Sequence, residues 1–370
     1  MRLDRLWLSD FRNYQSAELS LPAGLLAVVG DNGAGKTNLL EAVGYLATLS
    51  SFRGAANEVL VRTGTPQAVV RGQGTRAGRE LLIECEVRAG GRGRTTVNRQ
   101  PLRKGSELAG ALRVTVFSPD DLELVKGGPT GRRRYLDDLL AALHPRHDAA
   151  RRDFERVLRQ RNALLAQIGG RLNDDTAPTL AVWDTRLAQT GEALGSARAA
   201  LVIRLGPMVA SAYEKLAAGG EVTMAYESSW MATGMATAMA AAQRDELRRG
   251  VSLVGPHRDE LALTITSMPA RTHASQGEQR SLALALRVAA HQAVTEQVGE
   301  PPLLLLDDVF SELDHLRSQA LLDSLPAIVG GPGSTNGQAV LTTAGPLPEG
   351  IVADRVLRVA GGQLSQGQQA

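Results

Sequence analysis

Residues 30 to 37, Gly30-Asp31-Asn32-Gly33-Ala34-Gly35-Lys36-Thr37, have the types and spacing to hold a polyphosphate. They follow the pattern G-x-x-x-x-G-K-[ST]. Gly30, Gly33 and Gly35 allow the backbone to curl so that its N–H groups converge on phosphate oxygens, and the N-terminus of a following helix adds partial positive charge. Lys36 would reach the β- and γ-phosphates, and Thr37 would ligate Mg²⁺ through its hydroxyl. The chain has four lysines, at 36, 104, 126 and 215, and arginine supplies the remaining basic side chains. Position 36 is one where a compact ammonium serves better than a planar guanidinium. Context separates this loop from a chance glycine-rich turn. The apolar run 25–29 (LLAVV) reads as a buried parallel strand before it, and 36–46 reads as a helix after it.

A second set of groups lies far along the chain. Leu303 to Leu306 form an apolar strand that runs into Asp307-Asp308. Such a strand places carboxylates at the C-terminal edge of a parallel sheet, where ligands bind. Asp307 would hold Mg²⁺ through water, and Asp308 would orient or deprotonate an attacking water, with Lys36 as the second catalytic group. The competing reading is an acidic helix cap. Upstream, Ser275-Gln276-Gly277-Glu278-Gln279-Arg280 opens a long helix, with Ser275 as N-cap and Glu278 completing a capping box. Downstream stands Ser311-Glu312-Leu313-Asp314.

The elements that must position these groups alternate in kind. Segments 3–8, 17–21 and 25–29 read as strands, and 67–98 as a run of short antiparallel strands. From Pro119 the pattern turns helical, over 131–143, 146–168, 180–217 and 231–242. Strand character returns at 259–265, 303–306 and 339–343, with a helix over 277–298 and a Gly/Pro/Ser-rich surface loop at 330–338. The predicted fold is α/β: a P-loop domain with a mixed sheet, formed by 1–118 and 255–370, carrying an inserted helical lobe at 119–254.

Composition sets limits. The net charge is +2, which permits a polyanionic partner without arguing for one. The single cysteine, Cys85, cannot form an internal disulfide and reads as a half-buried strand residue. The N-terminus carries no apolar signal segment, and no apolar run approaches the ~20 residues of a membrane helix. A reducing, cytoplasmic setting without membrane contact is expected. His257-Arg258-Asp259 reads as a hydrogen-bonded turn without chemistry. Lys126, Arg132, Arg133 and Arg134, with arginines at 151, 152, 156, 159 and 161, could track a phosphate backbone. They could equally form a solvated face paired with Asp137, Asp138, Asp148, Asp153 and Glu155, and charge alone favours that second reading.

Taken in chain order, the phosphate loop, the 275–280 segment, the acid-tipped strand and the 311–314 segment resemble the Walker A, signature, Walker B and D-loop motifs of ABC-type ATPases. No NKxD-like guanine motif is present. Phe11-Arg12-Asn13-Tyr14, Phe117-Ser118-Pro119-Asp120-Asp121-Leu122, Gly255-Pro256-His257-Arg258-Asp259 and Asp307-Asp308-Val309-Phe310-Ser311-Glu312-Leu313-Asp314 narrow the resemblance to the SMC-like RecF family, over essentially the whole chain. The resemblance implies ATP and Mg²⁺ as cofactors and an ATP-dependent homodimer. In that dimer Ser275, Gln276 and Gly277 would meet the γ-phosphate bound by a second subunit, flanked by D-loop residues Ser311 and Asp314. It implies binding to gapped, double-stranded or single-stranded DNA, with Lys126, Arg132, Arg133 and Arg134 as candidate contacts. RecR- and RecO-type partners would help load RecA onto SSB-coated strands. Arg12 would approach the nucleotide, or else is a surface turn residue. Gln276 replaces the first signature glycine, and Asp308 stands where a glutamate is usual. Thr342, Thr343 and Ala344 occupy the place of a switch histidine, and no Q-loop glutamine is evident near Phe117. These departures suggest a slow, DNA-stimulated, switch-like ATPase. The alternatives are a transporter nucleotide-binding subunit and a non-hydrolysing ATP-sensing scaffold.

Overall fold

The computed structural model describes residues 1–102, 108, 110–217, 219–329 and 337–367. Most of the expected 330–338 loop lies outside them. In chain order, strands β1 (Arg2–Phe11), β2 (Tyr14–Ser20) and β3 (Gly24–Val29) lead into helix α1 (Lys36–Thr48) and the single turn α2 (Asn57–Leu60). Strands β4 (Gln67–Arg76), β5 (Arg79–Arg88), β6 (Thr95–Val97), β7 (Gln100–Pro101) and β8 (Val114–Phe117) follow. The middle of the chain holds α3 (Glu123–Lys126), α4 (Pro129–Leu143), α5 (Pro145–Ile168), α6 (Ala177–Leu216), β9 (Val222–Glu227) and α7 (Met235–Arg249). Then come β10 (Glu260–Ile265), β11 (Met268–Pro269), α8 (Ala270–His273), α9 (Gln276–Val298), β12 (Leu303–Asp307), α10 (His315–Val329), β13 (Gln338–Thr343), β14 (Arg355–Ala360) and β15 (Gln363–Gln366).

These elements fall into two compact units. The first comprises Met1–Leu122, Ala212–Ala218 and Gln276–Ala370, and the second Glu123–Ser211 and Gly219–Ser275. The first unit contains an antiparallel sheet, ordered β2-β1-β4-β5-β6-β7, and a mixed sheet, ordered β15-β14-β3-β13-β12-β8. In the mixed sheet β14, β3, β13, β12 and β8 run parallel, and only β15 is antiparallel. Strand type follows burial. β12 and β13 are buried along their whole length, β12 as a continuous apolar run up to Asp307, whereas β2 and β5 alternate. Helix α1 packs against strands of both sheets. That placement explains why Leu39, Leu40, Ala42, Val43, Tyr45 and Leu46 are buried all round it rather than along one stripe. Cys85 on β5 is fully buried rather than half-buried, and burial pushes its thiol up to about 12.

The second unit departs from an all-helical lobe. It carries a three-stranded sheet ordered β11-β10-β9, in which Glu260 to Ile265 pair antiparallel with Val222 to Glu227. This pairing takes 255–275 into the second unit, although the sequence reading placed that span with the P-loop domain. Helix α7 starts at Met235 rather than Met231 because Gly234 sits at φ 85°, outside helical geometry. β8, β9, β14, β15 and α10 are not among the elements expected from the sequence. Helix α6 is, by length and composition alone, apolar enough to cross a membrane, with a mean hydropathy of 1.3 over its most apolar window. That qualifies the expectation that no segment reaches this threshold. Leu187, Leu194, Leu201, Leu205 and Val209 are nevertheless buried at helical spacing, the pattern of a packing helix.

The second unit is pinned by a fully buried arginine. Arg161 on α5 donates Nε to Asp184 of α6 (2.7 Å), Nη2 to Glu246 of α7 (2.6 Å) and Nη1 to the Ser252 hydroxyl (2.7 Å). Glu246 is also fully buried, and its second oxygen accepts the Leu253 N–H at 2.7 Å. Removing one partner of such a pair strands the other charge away from water. Glu246→Ala is therefore expected to cost about 3–5 kcal/mol, measured by urea unfolding, with the loss confined to stability.

Candidate active site at the phosphate loop

β3, β12 and β13 end at one edge of the mixed sheet. In register, Leu306 lies beside Leu341 and Asp307 beside Thr342, while Thr343 lies beside Val29. Gly30 leaves β3 where a Cβ would meet the Val359 carbonyl oxygen at 2.3 Å, so only glycine fits. Gly35, at φ 117°, turns the chain into α1. Lys36 is nearly buried, and its Nζ donates to the carbonyls of Gly30 (2.7 Å) and Asp31 (2.9 Å). Thr37 donates its hydroxyl to Asp307 Oδ1 at 2.8 Å, joining loop to acid strand.

Asp307 receives a second hydroxyl on the same oxygen, from Thr342 at 2.9 Å, and Oδ2 makes no hydrogen bond among the described residues. Thr342 also accepts the Asp308 N–H at 3.0 Å. Burial lifts the Asp307 carboxyl above its ordinary range, and the hydroxyls of Thr37 and Thr342 oppose that shift. Asp308 sits at φ 48°, with its carbonyl accepting from the Ser311 hydroxyl at 2.8 Å. No set of three or more His, Cys, Asp or Glu side chains gathers around a metal position among the described residues. Two hard oxygens, Thr37 Oγ1 and Asp307, suit Mg²⁺, which takes most of its ligands from phosphate and water.

The loop is propped from β1 and β2 by residues the sequence reading did not assign. Asn13 donates Nδ2 to Ala34 O (2.8 Å), and the buried Tyr14 hydroxyl donates to Gly35 O (2.9 Å). Both belong to the Phe11-Arg12-Asn13-Tyr14 segment, so the signal was present but read only through Arg12. Arg12 is not a loose turn residue. Its Nε and Nη2 donate to both oxygens of the fully buried Glu41, at 2.7 and 2.8 Å. Glu41 also accepts the Ser51 hydroxyl. Arg53 is exposed and lies within electrostatic reach of Asp307, a further cation the sequence reading passed over.

Among the described residues, the polar partners of Lys36, Thr37 and Asp307 include none of Ser275, Gln276 or Gly277, the expected signature segment. α9 begins at Gln276, which puts Ser275 at its N-cap position. Asp314, expected from the sequence as a D-loop residue, accepts the Arg317 N–H at 2.9 Å and so caps α10, an interaction that holds its carboxyl below the ordinary range. In the 117–122 segment Asp121 accepts the Ser118 N–H (2.8 Å) and pairs with Arg287 of α9 (2.6 Å), a structural role.

The basic cluster is mostly paired. Arg132 is buried, with Nε and Nη2 on Glu260 (2.7 and 2.8 Å) and Nη1 on Gly127 O (2.9 Å). Its candidacy as a DNA contact is therefore corrected, because exposing it would strand Glu260. Arg133 donates to Asp259 O at 2.9 Å, and the exposed Arg134 lies 3.5 Å from Asp138. Arg151, Arg152 and Arg156 pair with Asp148, Glu155 and Asp153. Of the four candidates, Lys126 has no such partner among the described residues. His257 bonds the Ser252 carbonyl and Asp259 accepts from Tyr226 and Trp230, so this segment is the expected structural turn.

A phosphate loop and an acid-tipped strand on a mixed sheet, in a chain that also carries an antiparallel sheet and a helix-rich insertion, define a P-loop ATPase head of the SMC type. The family model described as RecF/RecN/SMC N terminal domain matches residues 2–332. The DNA replication and repair protein RecF of Kineococcus radiotolerans is 42% identical, over 95% of each chain. A solved structure of the recombination mediator protein RecF with ATP, in the RecFOR pathway, is similar at TM-score 0.89 and 26% identity, covering 99% of this chain and 97% of that one. An Smc head domain from Pyrococcus furiosus shares the fold at TM-score 0.57 and 16% identity, over 98% and 94% of the two chains. The chain belongs to the RecF family.

Thr342 offers a direct probe of the edge. Thr342→Val keeps the shape but leaves the Asp308 N–H unpaired and removes one donor from Asp307. A stability loss of about 1–3 kcal/mol is expected in denaturant titration, together with slowed ATP turnover at saturating nucleotide.

Proposed function

We propose that this protein is an ATP-dependent DNA-binding protein of recombinational repair and replication, and that ATP drives two copies together on gapped, double-stranded or single-stranded DNA. The observation that carries the reading is the Thr37–Asp307–Thr342 junction, which sets a phosphate loop and two carboxylates at one sheet edge. The DNA role is supported by the RecF relatives, whose name is that of a DNA replication and repair protein. RecR- and RecO-type partners and a role in loading RecA onto SSB-coated strands follow from the same kinship. A cytoplasmic location accords with the buried, unpaired Cys85.

The chemistry follows from the geometry. Lys36 would exchange the carbonyls of Gly30 and Asp31 for β- and γ-phosphate oxygens, a trade of neutral for charge-assisted hydrogen bonds. Thr37 and Asp307 would hold Mg²⁺, which would supply neutralisation of phosphate charge when bound. Asp308, next along the chain, would orient the attacking water. Its carboxylate is one methylene shorter than glutamate and its backbone is held at φ 48°, so turnover should be slow. Arg12, fixed by Glu41 beside the loop, would add positive charge near the nucleotide. Ser275, Gln276 and Gly277 would complete the site of a second copy, with Ser311 and Asp314 beside them. A helix start there offers backbone N–H groups to a γ-phosphate.

Binding and hydrolysis separate in two variants. Lys36→Met should abolish ATP affinity, and DNA binding with it. Asp308→Asn should keep ATP affinity, collapse turnover and prolong ATP-dependent dimers on DNA. Nucleotide titration and sedimentation with and without DNA decide both. ATP affinity of Lys36→Met near that of the parent protein would remove the phosphate-loop assignment.

The trans role of the 275–277 segment has its own test. Loss of a helix cap costs only about 1 kcal/mol, so Ser275→Arg should stay folded. The long side chain should leave ATP binding to the monomer intact and block ATP-dependent dimerisation. A folded variant that dimerises at the parent concentration would refute the composite site.

A further inference from the structure

Arg317 stands in the first turn of α10, three residues past the D-loop aspartate. Its side chain is only 23% exposed and is held from several directions. Nη1 donates to Asp314 Oδ2, while Asp314 Oδ1 accepts the Arg317 backbone N–H. Nε donates to Ser281 Oγ on α9 at 2.8 Å, and that buried hydroxyl donates in turn to Leu216 O at 3.4 Å. The guanidinium also lies against Gly277. A Cβ built there would stand 2.8 to 3.1 Å from Nη2, Cζ and Nη1.

Gly277 needs a reason. Its φ is not in the left-handed region, so the backbone would accept alanine, and glycine weakens a helix relative to alanine. The space a methyl group would occupy is taken by Arg317 of the same chain. A methyl group at 277 would thus have to displace a guanidinium that Asp314 and Ser281 hold inside one subunit, before any partner is considered. The planar fork suits this task. It bonds a hydroxyl and a carboxylate while its face covers a bare Cα, which a lysine ammonium does not do.

We infer that Arg317 is a positioning residue for turnover: by covering Gly277 and holding Asp314 and Ser281 it sets the signature segment and the D-loop as one rigid surface for the nucleotide of a second copy. The inference rests on the composite dimer proposed above, but it concerns contacts within one chain and is tested separately. Arg317 touches no nucleotide on this view and acts through the groups it holds.

The test is a double-mutant cycle on the full chain with Gly277→Ala, Arg317→Ala and the pair, read as kcat and KM for ATP hydrolysis with DNA present. Arg317→Ala should lower kcat roughly tenfold, with KM and monomer ATP affinity within about twofold of the parent. Gly277→Ala should also lower kcat roughly tenfold in the parent, where the guanidinium must be pushed aside. In the Arg317→Ala background the three atoms nearest that methyl group are gone, so it should cost less than about threefold. Arg317→Lys, which keeps the charge near Asp314 but not the fork, should fall between, and it replaces Arg317→Ala in the cycle should that variant not fold. Effects that multiply to within about threefold, or an Arg317→Ala variant with parental kcat, would overturn the inference. Absence of ATP-dependent dimers of the parent in sedimentation would instead sink the composite-site reading and leave the cycle to be judged on turnover alone.

Discussion

A carboxylate at the end of a fully buried strand must be satisfied, and Asp307 is satisfied by hydroxyls from two other elements. Thr37 reaches it from the first turn of α1 and Thr342 from β13, both on the same oxygen. This meeting sets β3, β12 and β13 in register at their C-terminal ends. A shift of one residue that brought Leu341 to the place of Thr342 would leave both Asp307 and the Asp308 N–H short of a partner. The local dielectric is low, so these neutral hydroxyls also decide how readily the acid ionises. The proposed chemistry depends on that junction, because it holds the loop that would grip phosphates and the acids that would hold metal and water.

A second layer fixes the loop itself. Asn13 and Tyr14 hold the carbonyls of Ala34 and Gly35, and Arg12 is locked onto Glu41 one turn further along α1. These contacts turn carbonyl oxygens outward to the supporting strands. The N–H groups of Gly30 and Ala34 bond the carbonyls of Thr343 and Asp31, while those of Gly33, Gly35, Lys36 and Thr37 have no such bond among the described residues and suit an anion, the arrangement that makes a backbone nest. A short turn between β1 and β2 thus pre-organises a binding loop that follows it by nearly twenty residues, and such pre-organisation lowers the cost of binding.

Charge in the second unit is organised for packing. Arg132, Arg161 and Arg198 are all buried, and each bonds a carboxylate through its guanidinium: Glu260, then Asp184 and Glu246, then Asp137. Arginine tolerates this better than lysine because its donors are fixed and weakly hydrated. Clusters of arginine in this chain are therefore poor guides to a polyanion-binding face. A cation without a carboxylate partner among the described residues, such as the half-buried Lys126, is a better pointer.

The phosphate loop, the acid pair at the end of an apolar strand, the order of the motifs and most of the long helices were legible in the sequence. Each rests on local physics: glycine's conformational freedom, continuous burial of a parallel strand, and helical spacing of apolar residues. Other features come from partners distant along the chain. Thr342 becomes important only because parallel pairing lays it beside Asp307, and register between strands with a helix between them is not written in either strand. Arg132 looks like a surface cation until Glu260, 128 residues away, is brought to it. The span 255–275 joins the second unit because β10 pairs with β9, while its own composition suits either unit. Local propensity names the groups able to do chemistry, and the folded chain decides which of them are already held by another residue, because a buried charge or hydrogen-bonding group must find its partner wherever the chain supplies one.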